Sequence, residues 1–134
     1  MNKSKGFTLV ELMVTVVILG ILSSIAVNVY ENQTRKQRRS DGIIALTTAQ
    51  SEMEQYRSDN GVYAAAGLLT AGSPQTYYTV TVAITNAGAN YTLTATAGGP
   101  QTDDTDCRTL IVDDLGQFTA EKADTTPNTK CISR

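Results

Sequence analysis

Three hydropathy patterns succeed one another along this chain. From Phe7 to Val27, FTLVELMVTVVILGILSSIAV, apolar residues occupy every helical face and Glu11 is the only charge. At the helical rise of 1.5 Å per residue, such a run is long enough to cross a hydrocarbon core of about 30 Å. From Ile43 the apolar positions thin to steps of three and four: Ile43, Leu46, Ala49, Met53 and Tyr56, with Thr48, Glu52, Gln55 and Arg57 on other faces. That spacing predicts one apolar stripe on an amphipathic helix. No proline stands between Phe7 and Asn60, so the two segments together predict a single helix of about fifty residues. Gly42 is its weak point, at a cost near 1 kcal/mol relative to alanine, and Asn60-Gly61 supplies a stop.

Beyond Gly61 the period shortens to two. YYTVTVAI alternates Tyr78, Val80, Val82 and Ile84 with small polar residues, and YTLTATA does the same with Tyr91, Leu93, Ala95 and Ala97. Both predict strands with one buried face, joined by a hairpin loop over residues 85–90 that contains Gly88. CRTLIVD and QFTAE form a second pair across Asp113-Asp114-Leu115-Gly116, where Gly116 can take the positive φ of a bulge-type turn. The expected fold is α+β: a long N-terminal α-helix, its first half transmembrane, packed on a small antiparallel β-sheet head. Residues 62–76 and 97–106 are expected as surface insertions.

Charge and composition narrow the function. The 134 residues hold no histidine, which removes the commonest general base and metal ligand, and no Walker-type or dinucleotide-binding glycine pattern occurs. Neither catalysis nor a metal or cofactor is expected. From Ser58 onward eight acids face four bases, Arg108, Lys122, Lys130 and Arg134, so a general electrostatic grip on nucleic acid is not favoured there. Arg35, Lys36, Arg38 and Arg39 follow the apolar run and read as a solvated collar that meets lipid headgroups and later neighbouring subunits. Two lysines and no acid precede Phe7, which holds that end in the cytoplasm, although the collar works against the same bias.

A permanent anchor explains the apolar run but not its acid. A secretory signal with Ser24-Ile25-Ala26 as a small-x-small cleavage site suffers from Glu11 and from a helix that continues past the cut. A third reading rests on Lys5-Gly6-Phe7-Thr8-Leu9-Val10-Glu11, which resembles the class III prepilin signal of the type IV pilin superfamily. The resemblance implies cleavage after Gly6 by an inner-membrane prepilin peptidase, N-methylation of Phe7, and a role for Glu11 in assembly. A physical reason stands beside it: residues i and i+4 share a helix side, so Glu11 can neutralise the new amine of Phe7 on its own or a neighbouring subunit, a pairing strengthened in lipid. Gly20, Ser23 and Ser24 would let helices approach closely. Asn28 stands where the family often has proline, so no proline-driven kink is expected.

The resemblance extends more weakly into the head, where YTLTATA, DCRTLIVDDLGQFT and Cys131 look like the small minor pilins. A disulfide between Cys107 and Cys131 suits an exported compartment, and closing a loop of about 25 residues would contribute roughly 3 kcal/mol. The implied organisation is a leader over residues 1–6, a transmembrane and filament-core helix over 7–30, its amphipathic continuation over 31–60, and a β head with a C-terminal disulfide loop over 61–134. The implied life history runs from the inner membrane, as a prepilin, to a filament on the cell surface. Its partners would be other pilin subunits, the prepilin peptidase and the inner-membrane assembly machinery. Adhesion, twitching motility and DNA uptake are the roles such filaments serve. Two alternatives stay open: a DNA-receptor minor pilin, should the head's bases converge, and a pseudopilin of type II secretion, whose major members typically carry a Trp-Gly stretch absent here.

Overall fold

A computed structural model describes residues 6–132, apart from the side chain of Asn28. Most of the leader, with Lys3 and Lys5, and the base Arg134 lie outside the described residues. Helix α1 runs over Leu9–Asn60, 52 residues, and passes position 28 without interruption. The chain divides into two compact units, one ending at Thr34 and one beginning at Arg35.

In the first unit the helix is apolar on all sides and uncovered. Leu9, Val10, Leu12, Met13 and every larger apolar side chain on to Tyr30 are at least half exposed. In water this surface would forfeit about 25 cal/mol for each exposed Å² of it, which is the argument for lipid or other helices around it.

In the second unit a four-stranded antiparallel sheet, β1(Tyr78–Thr85), β2(Asn90–Ala97), β3(Thr109–Asp113) and β4(Phe118–Glu121), has its strands in sequence order. Alternation fixes the register. Tyr78, Val80, Tyr91, Leu93, Ala95, Leu110, Val112 and Ala120 point inward and meet Ala45, Leu46, Ala49 and Met53 of α1. The expected helical stripe is therefore present at its centre, with Ala45 added and with Ile43 and Tyr56 only half-buried at its margins. Gly61, at φ 79°, ends the helix in the left-handed region that glycine enters without cost, and its N–H donates to the Arg57 carbonyl at 2.7 Å.

Three expectations need correction. Gly42 is more than a weak point: a Cβ there would lie 2.9 Å from Cδ2 of Tyr78, so the missing side chain makes room for the ring against the helix. The two long loops are not merely surface insertions, because Tyr63, Ser73, Gln101 and Asp104 within them are buried. Glu52 holds the first loop by accepting from the N–H groups of Leu69 and Thr70 and the Thr70 hydroxyl, at 2.6–2.9 Å. The basic collar is likewise not wholly solvated. Arg39 lies in a bidentate ion pair with buried Asp104, and Arg38 stacks over the Tyr77 ring at 5.0 Å. Both contacts tie α1 to loops a period count cannot see, because a buried charge demands a partner wherever the chain can deliver one.

Candidate assembly and surface sites

The start of α1 is built around Thr8 and Glu11. The Glu11 N–H donates to Thr8 Oγ1 at 3.2 Å, while Glu11 Oε2 accepts from both the N–H and the hydroxyl of Thr8 at 3.3 Å. This reciprocal pair is a capping box, and it satisfies amides that a helix start leaves without partners. The signal was present in the sequence as Thr8-x-x-Glu11 before an apolar run, yet attention to the charge alone overlooks it. Glu11 thus has a local reason to exist beside any pairing with a terminal amine. Just upstream, Phe7 is 89% exposed, and among the described residues none beyond the chain neighbours of Gly6 comes within 4 Å of where a Cβ on Gly6 would stand.

In the second unit, Cys107 and Cys131 form a disulfide with their Cα atoms 5.7 Å apart. The tail it secures covers the outer edge of β4, where the Asn128 N–H donates to the Ala120 carbonyl at 2.7 Å and Lys122 to that of Thr126 at 2.9 Å. Beside the bridge opens a polar cleft of about 400 Å³ that brings together Arg39, Lys122 and Lys130 with Asp106 and Asn128. Two of the head's four sequence-predicted bases therefore converge, joined by Arg39 from the collar; Arg108 does not line the cleft. Lys122 Nζ sits 4.0 Å from Asp106, so part of the positive charge is already answered.

Behind the cleft lies a buried hydrogen-bonded chain. Gln101 Nε2 donates to Tyr78 Oη at 3.1 Å and to Asp104 Oδ2 at 2.9 Å, and Asp104 takes both arms of Arg39 at 2.6 and 2.8 Å. The hydrogen bonds that Arg39 donates to Asp104 outweigh desolvation and hold Arg39 more firmly protonated than usual. Burial pushes the Tyr78 hydroxyl up to about 12, against a smaller opposing effect of Gln101. Asp104, with Gln101 and Tyr78 behind it, thus holds Arg39 in place at the cleft, while none of the three lines the cleft itself.

Comparison with known proteins gives this geometry a family. The family described as "Type IV minor pilin ComP, DNA uptake sequence receptor" matches residues 29–111, and the prokaryotic N-terminal methylation motif matches residues 1–27. Fimbrial protein EcpC of Eikenella corrodens is 35% identical over 96 residues, covering 69% of this chain and 61% of its own. Type II secretion system core protein G of Vibrio cholerae is 46% identical over 66 residues, 47% of this chain and 43% of its own. The chain spans about half to three-fifths of the length of the fimbrial proteins it matches. Among solved structures, a type IV pilin from Shewanella oneidensis superimposes with a TM-score of 0.55 at 31% identity, covering 75% of this chain and 99% of that one. An N-terminal methylation motif, a long helix on a four-stranded antiparallel sheet and a match across most of the head converge on one conclusion: this chain belongs to the type IV pilin family.

Proposed function

We propose that the chain is a structural subunit, and a minor one, of a type IV pilus. It is made as a prepilin, cut after Gly6, N-methylated at Phe7, and held in the inner membrane by residues 7–30 until assembly machinery draws it into a filament. The observation that carries this reading is the uncovered apolar helix from Leu9 to Val29 with a single acid, Glu11, in its first turn. A helix apolar on all faces needs lipid before assembly and other helices after it. Glu11, once Phe7 is freed, sets the register of an incoming subunit by meeting a terminal amine. Quantitative mass spectrometry of filaments sheared from the native cells tests the reading. An N-terminal peptide beginning at methylated Phe7 supports it, and trace abundance marks a minor subunit. Retention of the chain in the membrane while filaments lack it overturns this reading and favours a pseudopilin of type II secretion, the class to which the matching Vibrio protein belongs.

A second reading, DNA capture by the head, is favoured by the match of residues 29–111 to a family described as a DNA uptake receptor and by the cleft that gathers Arg39, Lys122 and Lys130. Three phosphate contacts would make log K fall with log salt at a slope of about −3. Duplex DNA titrated against the full chain in detergent at several salt concentrations tests it; no binding at low salt removes it.

A further inference from the structure

Strand β1 is an edge of the sheet, and its cover is incomplete. The Val80 N–H donates to the Ala71 carbonyl at 3.0 Å and the Ser73 N–H to that of Tyr78 at 2.9 Å, on either side of the bridge between Gly72 and Thr79. By the alternation of an antiparallel ladder, Val82 and Ile84 turn their own N–H and C=O groups to this same outer side. Among the described residues neither finds a partner there. From Val80 to Thr85 the edge carries no proline and no charge, the usual protections against pairing with another strand.

A segment of matching length is anchored at both ends of that edge. The Tyr63 N–H donates to the Gly88 carbonyl at 2.9 Å, just past the end of β1. This anchor and the Gly72–Thr79 bridge fall in one antiparallel register, which sets the seven residues 64–70 opposite the seven residues 81–87. The strap between the anchors is nonetheless bowed onto α1. Glu52 Oε2 accepts from the N–H groups of Leu69 and Thr70 at 2.9 and 2.8 Å, and Oε1 accepts from the Thr70 hydroxyl at 2.6 Å. The 3₁₀ turn Ala65–Gly67 lies against Tyr56, and a Cβ on Gly67 would stand 2.7 Å from that residue's Cβ. The bow leaves Leu69 80% exposed. Among the described residues, Glu52 is the one side chain of α1 that hydrogen-bonds the strap.

We propose that residues 67–71 are a displaced fifth strand, which Glu52 latches to α1 and which closes onto β1 when that carboxylate lets go. Continuing the register already in place sets Leu69 opposite Val82 and Gly67 opposite Ile84, both at hydrogen-bonded positions of the ladder. Opposite residues share a sheet face, so Leu69 moves from solvent to the core side, beside half-buried Val82. A carboxylate makes charge-assisted bonds, stronger than those between neutral backbone groups, whereas closure pairs an open edge and buries an apolar side chain. While latched, the edge from Val80 to Ile84 is open to strand addition by an extended segment; closed, it is not. A proton is the simplest trigger. Burial raises the Glu52 pKa, but the bonds from Thr70 and Leu69 together bring it below the ordinary value. The latch is therefore complete above that value and lost as pH falls through the lowered one. Asp59 lines the same cleft as Glu52, while Glu54 and Arg57 are engaged with the Tyr63 hydroxyl. The strap itself has no ionisable side chain, and β1 has only Tyr78. None of this depends on the filament reading.

Hydrogen exchange resolved by amide, measured by nuclear magnetic resonance on the full chain in detergent, tests the proposal with Glu52→Ala. Closure has a signature that loosening lacks. The N–H groups of Val82 and Ile84 are expected to slow roughly tenfold or more, Leu69 to stay slow, and Thr70, whose N–H then points outward, to exchange near the free rate. Loss of protection at both Leu69 and Thr70, with Val82 and Ile84 still fast, overturns the proposal, because the strap then frays without closing. An unchanged pattern overturns it as well, because Glu52 is then no latch. Should the substitution also strip protection from Leu93 and Leu110 in the core, acid titration of the unaltered chain decides. The same four changes as pH falls below about 4.3 support closure, and any other pattern at these four amides overturns it.

Discussion

The two halves of α1 have the same backbone and opposite surroundings. From Leu9 to Tyr30 every large apolar side chain of the helix is at least half exposed, while from Arg35 to Asn60 a narrow stripe, Ala45, Leu46, Ala49 and Met53, is wholly buried against the sheet. The difference lies in where hydrophobicity is placed rather than in how much helix propensity there is. A face that is apolar in one sector selects a protein partner, and a surface that is apolar in every sector selects a non-aqueous solvent. One element can therefore present two kinds of surface in sequence, provided that the all-apolar half does not depend on contacts made by the other.

The largest effect is expected where the two roles of Glu11 can be separated. Glu11→Gln keeps a capping box, because an amide oxygen still accepts from the Thr8 N–H, but it removes the charge. If charge pairing governs assembly, recovery of the chain in sheared filaments falls at least tenfold for both Glu11→Gln and Glu11→Ala. Wild-type recovery of the Gln variant would reduce Glu11 to a cap, and wild-type recovery of both would end its assembly role.

In the head, Cys107→Ser paired with Cys131→Ser is expected to cost roughly 3 kcal/mol. Thermal melting of the full chain in detergent, followed by near-ultraviolet circular dichroism, would show the midpoint fall by more than ten degrees while far-ultraviolet helicity from the first unit persists. Simultaneous loss of both signals would show that the two units do not melt independently.

Alkali offers a gentler probe of the same core. Tyr78 is neutral when protonated, and its folded pKa, about 12, exceeds the unfolded value of about 10. The stability it contributes is therefore complete below pH 10 and lost as pH rises toward 12, at about 1.4 kcal/mol per unit and about 2–3 kcal/mol in all. Tyr91, also raised by burial, adds in the same direction. Chemical denaturation at stepped pH should show this slope, and Tyr78→Phe should flatten it.

The smallest of these effects carries an informative sign. Gly42→Ala improves helix propensity by about 1 kcal/mol but drives a methyl into the Tyr78 ring, an overpacking that costs typically 1–3 kcal/mol. A net loss near 1 kcal/mol is expected for Gly42→Ala, whereas Gly20→Ala, with no neighbour within 4 Å, should leave the head unchanged. Stabilisation by Gly42→Ala would mean that the ring yields.

Much of this was legible in the sequence because periodicity is local. The strands from Tyr78 and Asn90, the turn at Gly116 and the stripe centred on Leu46 all follow from spacing alone. What escaped depends on residues far apart in the chain: the Arg39–Asp104 pair spans 65 positions, and buried Gln101 sits in a loop whose composition reads as exposed. Among site residues, Cys107 and Cys131 are bridged as expected, whereas the roles of Gly6, Phe7 and Glu11 rest on their motif alone. Thr8 was missed because a conspicuous charge drew attention from its neighbour's hydroxyl. The cleft was legible only in part: convergence of Lys122 and Lys130 in the tail was an open alternative, whereas Arg39 joins them from α1 through the fold.

The Tyr78 ring seated at Gly42 also bears on mechanics. Slide the sheet along α1 and the ring meets the side chains that flank Gly42 on the same helix face, Arg38 and Arg39 on one side and Ala45 and Leu46 on the other, so the notch opposes axial movement. A filament pulled from its base would transmit load through its helices, and the notch, with the Arg39–Asp104 clamp beside it, makes the head a keyed sleeve on that shaft. Shear between shaft and sleeve then has to expel an aromatic ring before any strand separates.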